Sequence, residues 1–126
     1  MWSDMHFKAA FNDYYTATNT IPPEIVKGIP KDVDQVYWDY YNIDEKVCDH
    51  MIKAHQDMNR NVIFAGGIWT WNGVSPHYEK TFKTTKVALS SCRKNNVRDV
   101  WATMWGDDGA ICHFDSAWTG LTEASD

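Results

Sequence analysis

Three stretches of hydrophobic residues divide the chain, and each has the length and composition of a buried β-strand. They cover residues 33–38, 62–69 and 97–105 and are rich in β-branched and aromatic side chains. Their apolar residues run almost continuously instead of alternating with polar ones, which is typical of parallel strands covered on both faces. The pattern therefore predicts three parallel strands.

Apolar residues at helical spacing mark the segments between these strands. Residues 44–58 carry such a stripe, with Asn42 as the candidate N-cap and Glu45 as its capping-box partner. Residues 79–94 carry a less regular stripe, and the paired asparagines at 95–96 suit a left-handed helix stop. Strand and helix thus alternate in βα units of roughly 30 to 35 residues.

The two ends of the chain continue this repeat. Residues 1–5 look like the end of a further strand, 7–15 and 22–28 can form short helices after it, and 113–121 look like the start of another helix. We expect one α/β domain over residues 1–126, with open parallel sheet edges. Such edges are normally covered or closed, so either another chain covers them or the sequence is a piece of something larger.

Composition and charge narrow the classes of partner. The 126 residues include 12 Lys plus Arg and 17 Asp plus Glu, which gives a formal net charge of -5. This acidic balance argues against a nucleic-acid partner, and no apolar run reaches the roughly 18 to 20 residues needed to cross a bilayer.

The three cysteines (Cys48, Cys92 and Cys112) are odd in number and widely spaced, and no secretory leader is visible. Together these features favour reduced thiols and a cytoplasmic location.

Aromatic residues recur at the predicted strand ends. The chain has seven Trp, six Tyr and five Phe, and each strand end places a Trp beside an Asp or Asn. These residues are Trp2 and Asp4; Trp38 and Asp39; Trp69, Trp71 and Asn72; and Trp105, Asp107 and Asp108. Functional side chains collect at the carboxyl ends of parallel strands, where indole faces can stack on a sugar ring and carboxylates or amides can bind its hydroxyls. Alternatively, the Trp residues are core and the polar residues form turns. Trp101, inside its strand, is assigned to the core.

Other chemistries have weaker support in the sequence. Asp107 and Asp108 are adjacent acids in a Gly-bounded loop, but hard cations want more oxygen ligands than two, and the five His residues lack ligand spacing. No Gly-rich phosphate loop occurs. Asp44 and Glu45 form an acidic pair, but they open a helix, so capping explains them. We therefore expect neither a metal nor a cofactor.

Four strings of the sequence resemble the family 20 glycoside hydrolases, the β-N-acetylhexosaminidases, and especially their bacterial exo-acting branch. The strings are WSDM at 2–5, VYWDYY at 36–41, FAGGIWTWNG at 64–73 and ATMWGDDGA at 102–110, and the resemblance runs from residue 1 to about 121. The family fold is a (β/α)8 barrel. The resemblance implies that this chain is its second half, from the end of strand five to strand eight.

The resemblance also implies an activity. Members hydrolyse terminal β-linked N-acetylglucosamine or N-acetylgalactosamine with retention, and the substrate's own acetamido oxygen attacks the anomeric carbon. An Asp positions the acetamido group, and the adjacent Glu is the general acid and base. That Asp-Glu pair belongs at the end of strand four, so it is expected to lie outside this chain, which alone would be inactive. The expected partners are N-acetylhexosamine-terminated glycans and the other half of the barrel.

Individual roles follow from the matched strings. Tyr37 matches the Tyr that hydrogen-bonds the acetamido oxygen, although Tyr40 or Tyr41 could take that role. Trp105 matches a Trp that lines the sugar pocket. The remaining substrate-binding assignments are Asp107 and, as a second candidate, Asp108 for the outer hydroxyls; Trp69 and Trp71 for the pocket wall; Asn72 for its rim; and Asp39, Trp2 and Asp4 nearby. The sequence departs from the family at Ile111 and Cys112, where an acidic or polar residue is expected.

Two other functions remain open. A non-catalytic carbohydrate-binding protein would keep the aromatic site and lack the acid. A small α/β domain with a signalling or structural role does not explain aromatic residues at four successive strand ends.

Overall fold

The computed structural model of the chain describes residues 1–11, 13–15, 20–107 and 111–125. Helices and strands alternate over most of this length. The elements are α1 (Asp4–Ala10), α2 (Pro23–Gly28), β1 (Gln35–Trp38), α3 (Glu45–Gln56), β2 (Val62–Gly67), α4 (Tyr78–Lys94), β3 (Asp99–Thr103), a 3-10 turn (Phe114–Ala117) and α5 (Trp118–Ser125).

The three strands form one parallel sheet in the order β1-β2-β3. A mixed α/β fold with a parallel sheet and βα units is thus confirmed. Each strand is shorter than the apolar run that predicts it. At β2, the Ile68 N–H still donates to Thr103 O at 2.9 Å, but the Thr70 N–H already donates back to Ile68 O at 2.7 Å. This tight turn ends the strand before Trp69 and Trp71.

The first residues of the chain pair with β1 for one step only. Trp2 makes an isolated parallel bridge to Val36, in which Val36 N–H donates to Met1 O at 2.7 Å and Ser3 N–H to Val36 O at 3.2 Å. Helix α1 then begins at Asp4. The predicted strand end over residues 1–5 is therefore limited to the first three residues.

Buried polar contacts fasten this N-terminal segment to α3. Ser3 Oγ lies 2.6 Å from His55 Nε2, and His55 Nδ1 lies 2.6 Å from Met51 O. A carbonyl oxygen only accepts, so Nδ1 donates its proton to it. Burial disfavours the charged imidazole and lowers the pKa of His55 to about 4.

The boundaries of α2, α3 and α4 follow the predicted segments closely, whereas α1 covers Asp4–Ala10 instead of the predicted 7–15. One cap also differs from the prediction. Asp44, not Asn42, caps α3, because its carboxylate accepts the N–H of Lys46 at 2.9 Å. Asn42 instead donates its side-chain amide to Asp39. The predicted left-handed stop after α4 is confirmed at Asn96, whose φ is 57°.

The sheet has two different faces. The helix-facing side packs Tyr37 and Phe64 against α3 and α4 in the main core. The opposite side carries the small cluster Val36, Ile63 and Ala65, flanked by Trp2 and Trp38.

The β3 strand leaves much of its apolar surface uncovered. It pairs with β2 on one side, and its residues Asp99–Ala102 are exposed. Trp101 is 47% exposed, so its assignment to the core is wrong. A strand in the middle of a sheet is covered on both flanks, whereas β3 lies at the edge of the sheet that the described residues form.

Two cysteines lie between the helices. Cys48 on α3 and Cys92 on α4 are buried, and both are free thiols. Burial raises the pKa of each thiol to about 12, which keeps both in the neutral form.

Candidate functional site

Four aromatic side chains meet at the carboxyl edge of the sheet and line a shallow cavity of about 210 Å³, here called the aromatic pocket. They are Trp2, Trp38, Tyr40 and Trp105. The ring centroids of Trp2 and Trp105 lie 6.0 Å apart, and those of Trp38 and Tyr40 lie 5.3 Å apart. Three of the predicted strand ends therefore contribute to one surface.

A second concavity lies beside it, between the loops that follow β2 and β3. This polar groove of about 450 Å³ is lined by Trp71, Asn72, Gly73, Asp107 and Ile111. The structure thus brings together the predicted rim groups Asn72 and Asp107. Tyr40 connects the two concavities, because its ring centroid lies 5.4 Å from that of Trp71 and 6.5 Å from that of Trp105.

Strand alternation decides which residues of β1 reach the aromatic pocket. Successive side chains of a strand point to opposite faces, so Val36 and Trp38 share one side. Tyr40, which follows the strand, joins them because its ring packs against that of Trp38. Tyr37 lies on the other side with no exposed surface. It belongs to the main core, and its hydroxyl donates to Asp39 Oδ2 at 2.8 Å. In this arrangement, the hydroxyl of Tyr37 is turned away from the aromatic pocket.

Asp39 organises the loop after β1. Its carboxylate is buried and accepts from the Tyr37 hydroxyl, from the N–H groups of Tyr41 and Asn42, and from the Asn42 side-chain amide. Burial and the neighbouring Asp39 carboxylate raise the pKa of Tyr37, which keeps it a hydrogen-bond donor. Four donors leave Asp39 little capacity to bind a ligand, so the structure places it as an internal support of the loop.

The loop after β2 is held against the first turn of α4 through Trp69. The Trp69 N–H donates to Thr81 Oγ1 at 3.0 Å, and its carbonyl accepts from the His77 N–H at 2.8 Å. Its indole N–H donates to Tyr40 O at 2.9 Å. Trp69 is almost completely buried, so it supports the wall of the site and does not face a ligand directly.

The loop after β3 carries the most exposed members of the site. Trp105 is 39% exposed, and its carbonyl accepts from Thr70 Oγ1 at 3.4 Å. Asp107 is exposed at the polar groove, whereas Asp108 lies outside the described residues. Asp4 lines neither concavity; it forms a surface ion pair with Lys8 in α1 at 3.2 Å.

Sequence reasoning names Tyr40 as an alternative to Tyr37, and the structure places Tyr40 at the aromatic pocket. Sequence reasoning misses Lys80, whose ammonium nitrogen lies 3.6 Å from the centroid of a Trp69 ring. No sequence signal connects these two residues, which approach only because α4 packs beside the loop.

The acidic pair Asp44 and Glu45 lies away from the aromatic pocket. Asp44 and Glu45 open α3, where Asp44 is the cap, and neither lines the aromatic pocket. In the part of the chain that the structure describes, no three His, Cys, Asp or Glu side chains group so that they could hold a metal ion. The described edge therefore offers flat apolar rings beside neutral and anionic hydrogen-bonding groups.

Comparison with known proteins was made against family models and curated sequences. The chain matches no family model and no curated protein. Across the described ranges, no helix combines the length and the apolar character that a membrane crossing requires.

Proposed function

We propose that the carboxyl edge of this sheet binds a neutral N-acetylated sugar, as the sugar-pocket half of a β-N-acetylhexosaminidase barrel. The observation that carries the proposal is the aromatic pocket itself: Trp2, Trp38, Tyr40 and Trp105 from three separate chain segments line one cavity. Indole and phenol faces pack against the C–H groups of a sugar ring and against an acetamido methyl.

The polar groove supports the same proposal. Asn72 and the Asp107 carboxylate face this groove beside the aromatic pocket, and such groups bind sugar hydroxyls by hydrogen bonds. Tyr40 connects the two concavities, so one sugar can contact aromatic and polar groups together. We assign the acetamido-orienting role to Tyr40, because Tyr37 has no exposed surface.

In the proposed reaction, the substrate supplies the nucleophile. The acetamido oxygen attacks the anomeric carbon, and the glycosidic oxygen leaves with a proton from a general acid. Water then opens the oxazolinium ring with net retention and gives its proton back to the same group, which now acts as the base. Asp44 and Glu45 do not fit the acid's position, because they open α3. We propose that the other half of the barrel supplies the acid and pairs with the open edge of β3.

One observation favours a second candidate, a carbohydrate-binding protein without catalysis. Among the residues that the structure describes, the four that line the aromatic pocket are all aromatic, and none of them is a carboxylate. Binding is therefore better supported than hydrolysis for the chain taken alone.

Titration of the full chain with N-acetylglucosamine tests binding, followed by calorimetry or by tryptophan fluorescence. We expect Trp105→Ala to weaken binding about tenfold, which is about 1.4 kcal/mol. Trp118→Ala is the matched control, because Trp118 is a 65% exposed indole on α5 and should leave the affinity unchanged. A wild-type chain that binds no N-acetylated sugar would overturn the proposal.

A chromogenic aryl N-acetyl-β-glucosaminide separates the two candidates. Hydrolysis that disappears in Trp105→Ala supports a catalytic chain. Binding without hydrolysis supports either the carbohydrate-binding candidate or a half-barrel. Adding a separately produced Asp-Glu-bearing half then distinguishes these two, because only the half-barrel gains activity.

A further inference from the structure

Trp69 and Trp71 stack on each other behind the aromatic pocket, and the Lys80 ammonium lies against a ring of Trp69. The ring centroids of Trp69 and Trp71 lie 4.5 Å apart with an interplanar angle of 28°. The Lys80 ammonium nitrogen lies 3.6 Å from the centroid of a Trp69 ring and 5.2 Å from that of Tyr41. Trp69 is thus contacted both by Trp71 from the loop after β2 and by Lys80 from α4.

The stack continues directly into the aromatic pocket. Trp71 contacts Tyr40 edge-to-face at 5.4 Å, and Tyr40 contacts Trp38 and Trp105 at 5.3 and 6.5 Å. Each of these separations is within the range in which aromatic pairs interact. An unbroken series of packed rings therefore runs from α4 to the pocket wall.

Backbone geometry leaves this series little freedom to shift. A Cβ atom on Gly67 would lie 2.5 Å from Trp71 Cη2 and 3.0 Å from Tyr40 Cδ1, so both rings pack directly on the bare backbone of β2. On the other side, the indole N–H of Trp69 is fixed to Tyr40 O. At the α4 end of the series, Trp69 is contacted by Lys80 and also by Tyr41, whose ring centroid lies 5.4 Å from that of Trp69.

We propose that Lys80 is a positioning residue of the sugar site, which sets the location of Tyr40 and Trp105 through the Trp69–Trp71 stack. A cation over an indole face is attracted by the ring quadrupole, more strongly where water is excluded. Coupling between distant groups is carried by contiguous packed side chains of this kind. The inference rests on the proposed function for its ligand, but the arrangement of the rings can be tested without one.

The first test compares sugar affinities of four chains. Lys80→Met keeps the aliphatic length and removes the charge, and we expect its Kd for N-acetylglucosamine to rise about threefold to tenfold. Lys80→Arg retains a cation for the ring and should restore the affinity to within about twofold. Lys83→Met is the matched control, because Lys83 pairs with Glu79 on the helix surface at 2.6 Å.

The second test needs no ligand. The seven Trp residues are labelled with 5-fluorotryptophan, and their ¹⁹F resonances are assigned by single Trp→Phe replacements. In Lys80→Met we expect shifts at Trp69 and Trp71 and also at Trp38 and Trp105, with all four restored in Lys80→Arg. Lys83→Met should shift none of them, and Lys80→Gln replaces the Met variant if the latter does not fold.

The outcomes separate this inference from the proposed function. Shifts confined to Trp69 and Trp71, with Trp38 and Trp105 unmoved, overturn the positioning role whether or not the chain binds sugar. If Lys80→Met shifts all four resonances while the wild-type chain binds no sugar, the proposed function is overturned and the coupling is supported. A loss of affinity that Lys80→Arg fails to restore contradicts a role for the cation.

Discussion

We expect Tyr37, which the sequence resemblance selects for the acetamido-orienting role, to act as a structural residue. The substitution Tyr37→Phe tests this expectation. The Tyr37 hydroxyl donates to the buried Asp39 carboxylate at 2.8 Å, and a hydrogen bond to a charged group contributes about 1.5–3 kcal/mol. Asp39 keeps its donors from Tyr41 and Asn42, so the carboxylate is not left unsatisfied. We therefore expect the loss in free energy of unfolding to fall near 2 kcal/mol.

Urea denaturation followed by tryptophan fluorescence measures this loss. For a small domain it corresponds to a decrease of roughly 1 M in the urea midpoint. Tyr78→Phe is a matched control, because the Tyr78 hydroxyl donates to a neutral acceptor, Ser116 O, at 2.7 Å, and its removal should cost about 1 kcal/mol. The Kd of Tyr37→Phe for N-acetylglucosamine should stay within about twofold of the wild type. A Tyr37→Phe chain with unchanged stability and lost sugar binding would refute the reasoning, because the hydroxyl would then serve the ligand.

Three further perturbations follow from the structure. Gly67→Ala places a Cβ 2.5 Å from Trp71 Cη2, so it should lower the free energy of unfolding by about 1–3 kcal/mol and change the near-ultraviolet circular dichroism spectrum. An unchanged free energy of unfolding together with an unchanged spectrum would contradict the close packing. His55 has its pKa lowered from 6.5 to about 4, so the unfolded chain binds the proton first. The contribution of neutral His55 to the free energy of unfolding should be fully present above pH 6.5 and should fall by up to about 3 kcal/mol as the pH drops to 4. In His55→Gln, urea denaturation at each pH should show the free energy of unfolding without this decrease. Trp101→Lys places a charge on the open edge strand and should reduce concentration-dependent association in light scattering; unchanged association would exclude this edge as the contact.

The elements that sequence reasoning finds correctly are those whose burial is complete. β1 and β2 are buried along nearly their whole length, so their continuous apolar runs correctly predict buried strands. The α3 stripe succeeds for a similar reason, because Met51, Ile52 and Ala54 are buried. The buried residues of α4 are instead small or polar: Thr81, Thr84, Ala88, Ser91 and Cys92. A continuous run does not mark where a strand stops, which is why the predicted strand over 62–69 extends past Gly67 into the turn that begins at Ile68.

The failures arise where the environment depends on distant parts of the chain. Trp101 has the composition of a core residue, and only the sheet order shows that β3 lies at an edge. Tyr37 and Tyr40 both fit a Tyr near a strand end, and the choice between them depends on which face α3 covers. The Asn42 cap was predicted from local spacing, but Asp39 offers its side chain a better partner. The two concavities are built from loops far apart in sequence, so residue strings indicate their members but not their grouping.

The two buried thiols allow the opening of the interface between α3 and α4 to be measured by thiol modification. Because Cys48 and Cys92 are neutral and enclosed, an aromatic disulfide reagent can modify them only after the two helices separate. When reclosing is faster than modification, the labelling rate reports the population of the opened state and hence its free energy. Once the third free thiol, Cys112, is replaced, the two remaining sulfurs, one on each helix, report the local opening of this interface.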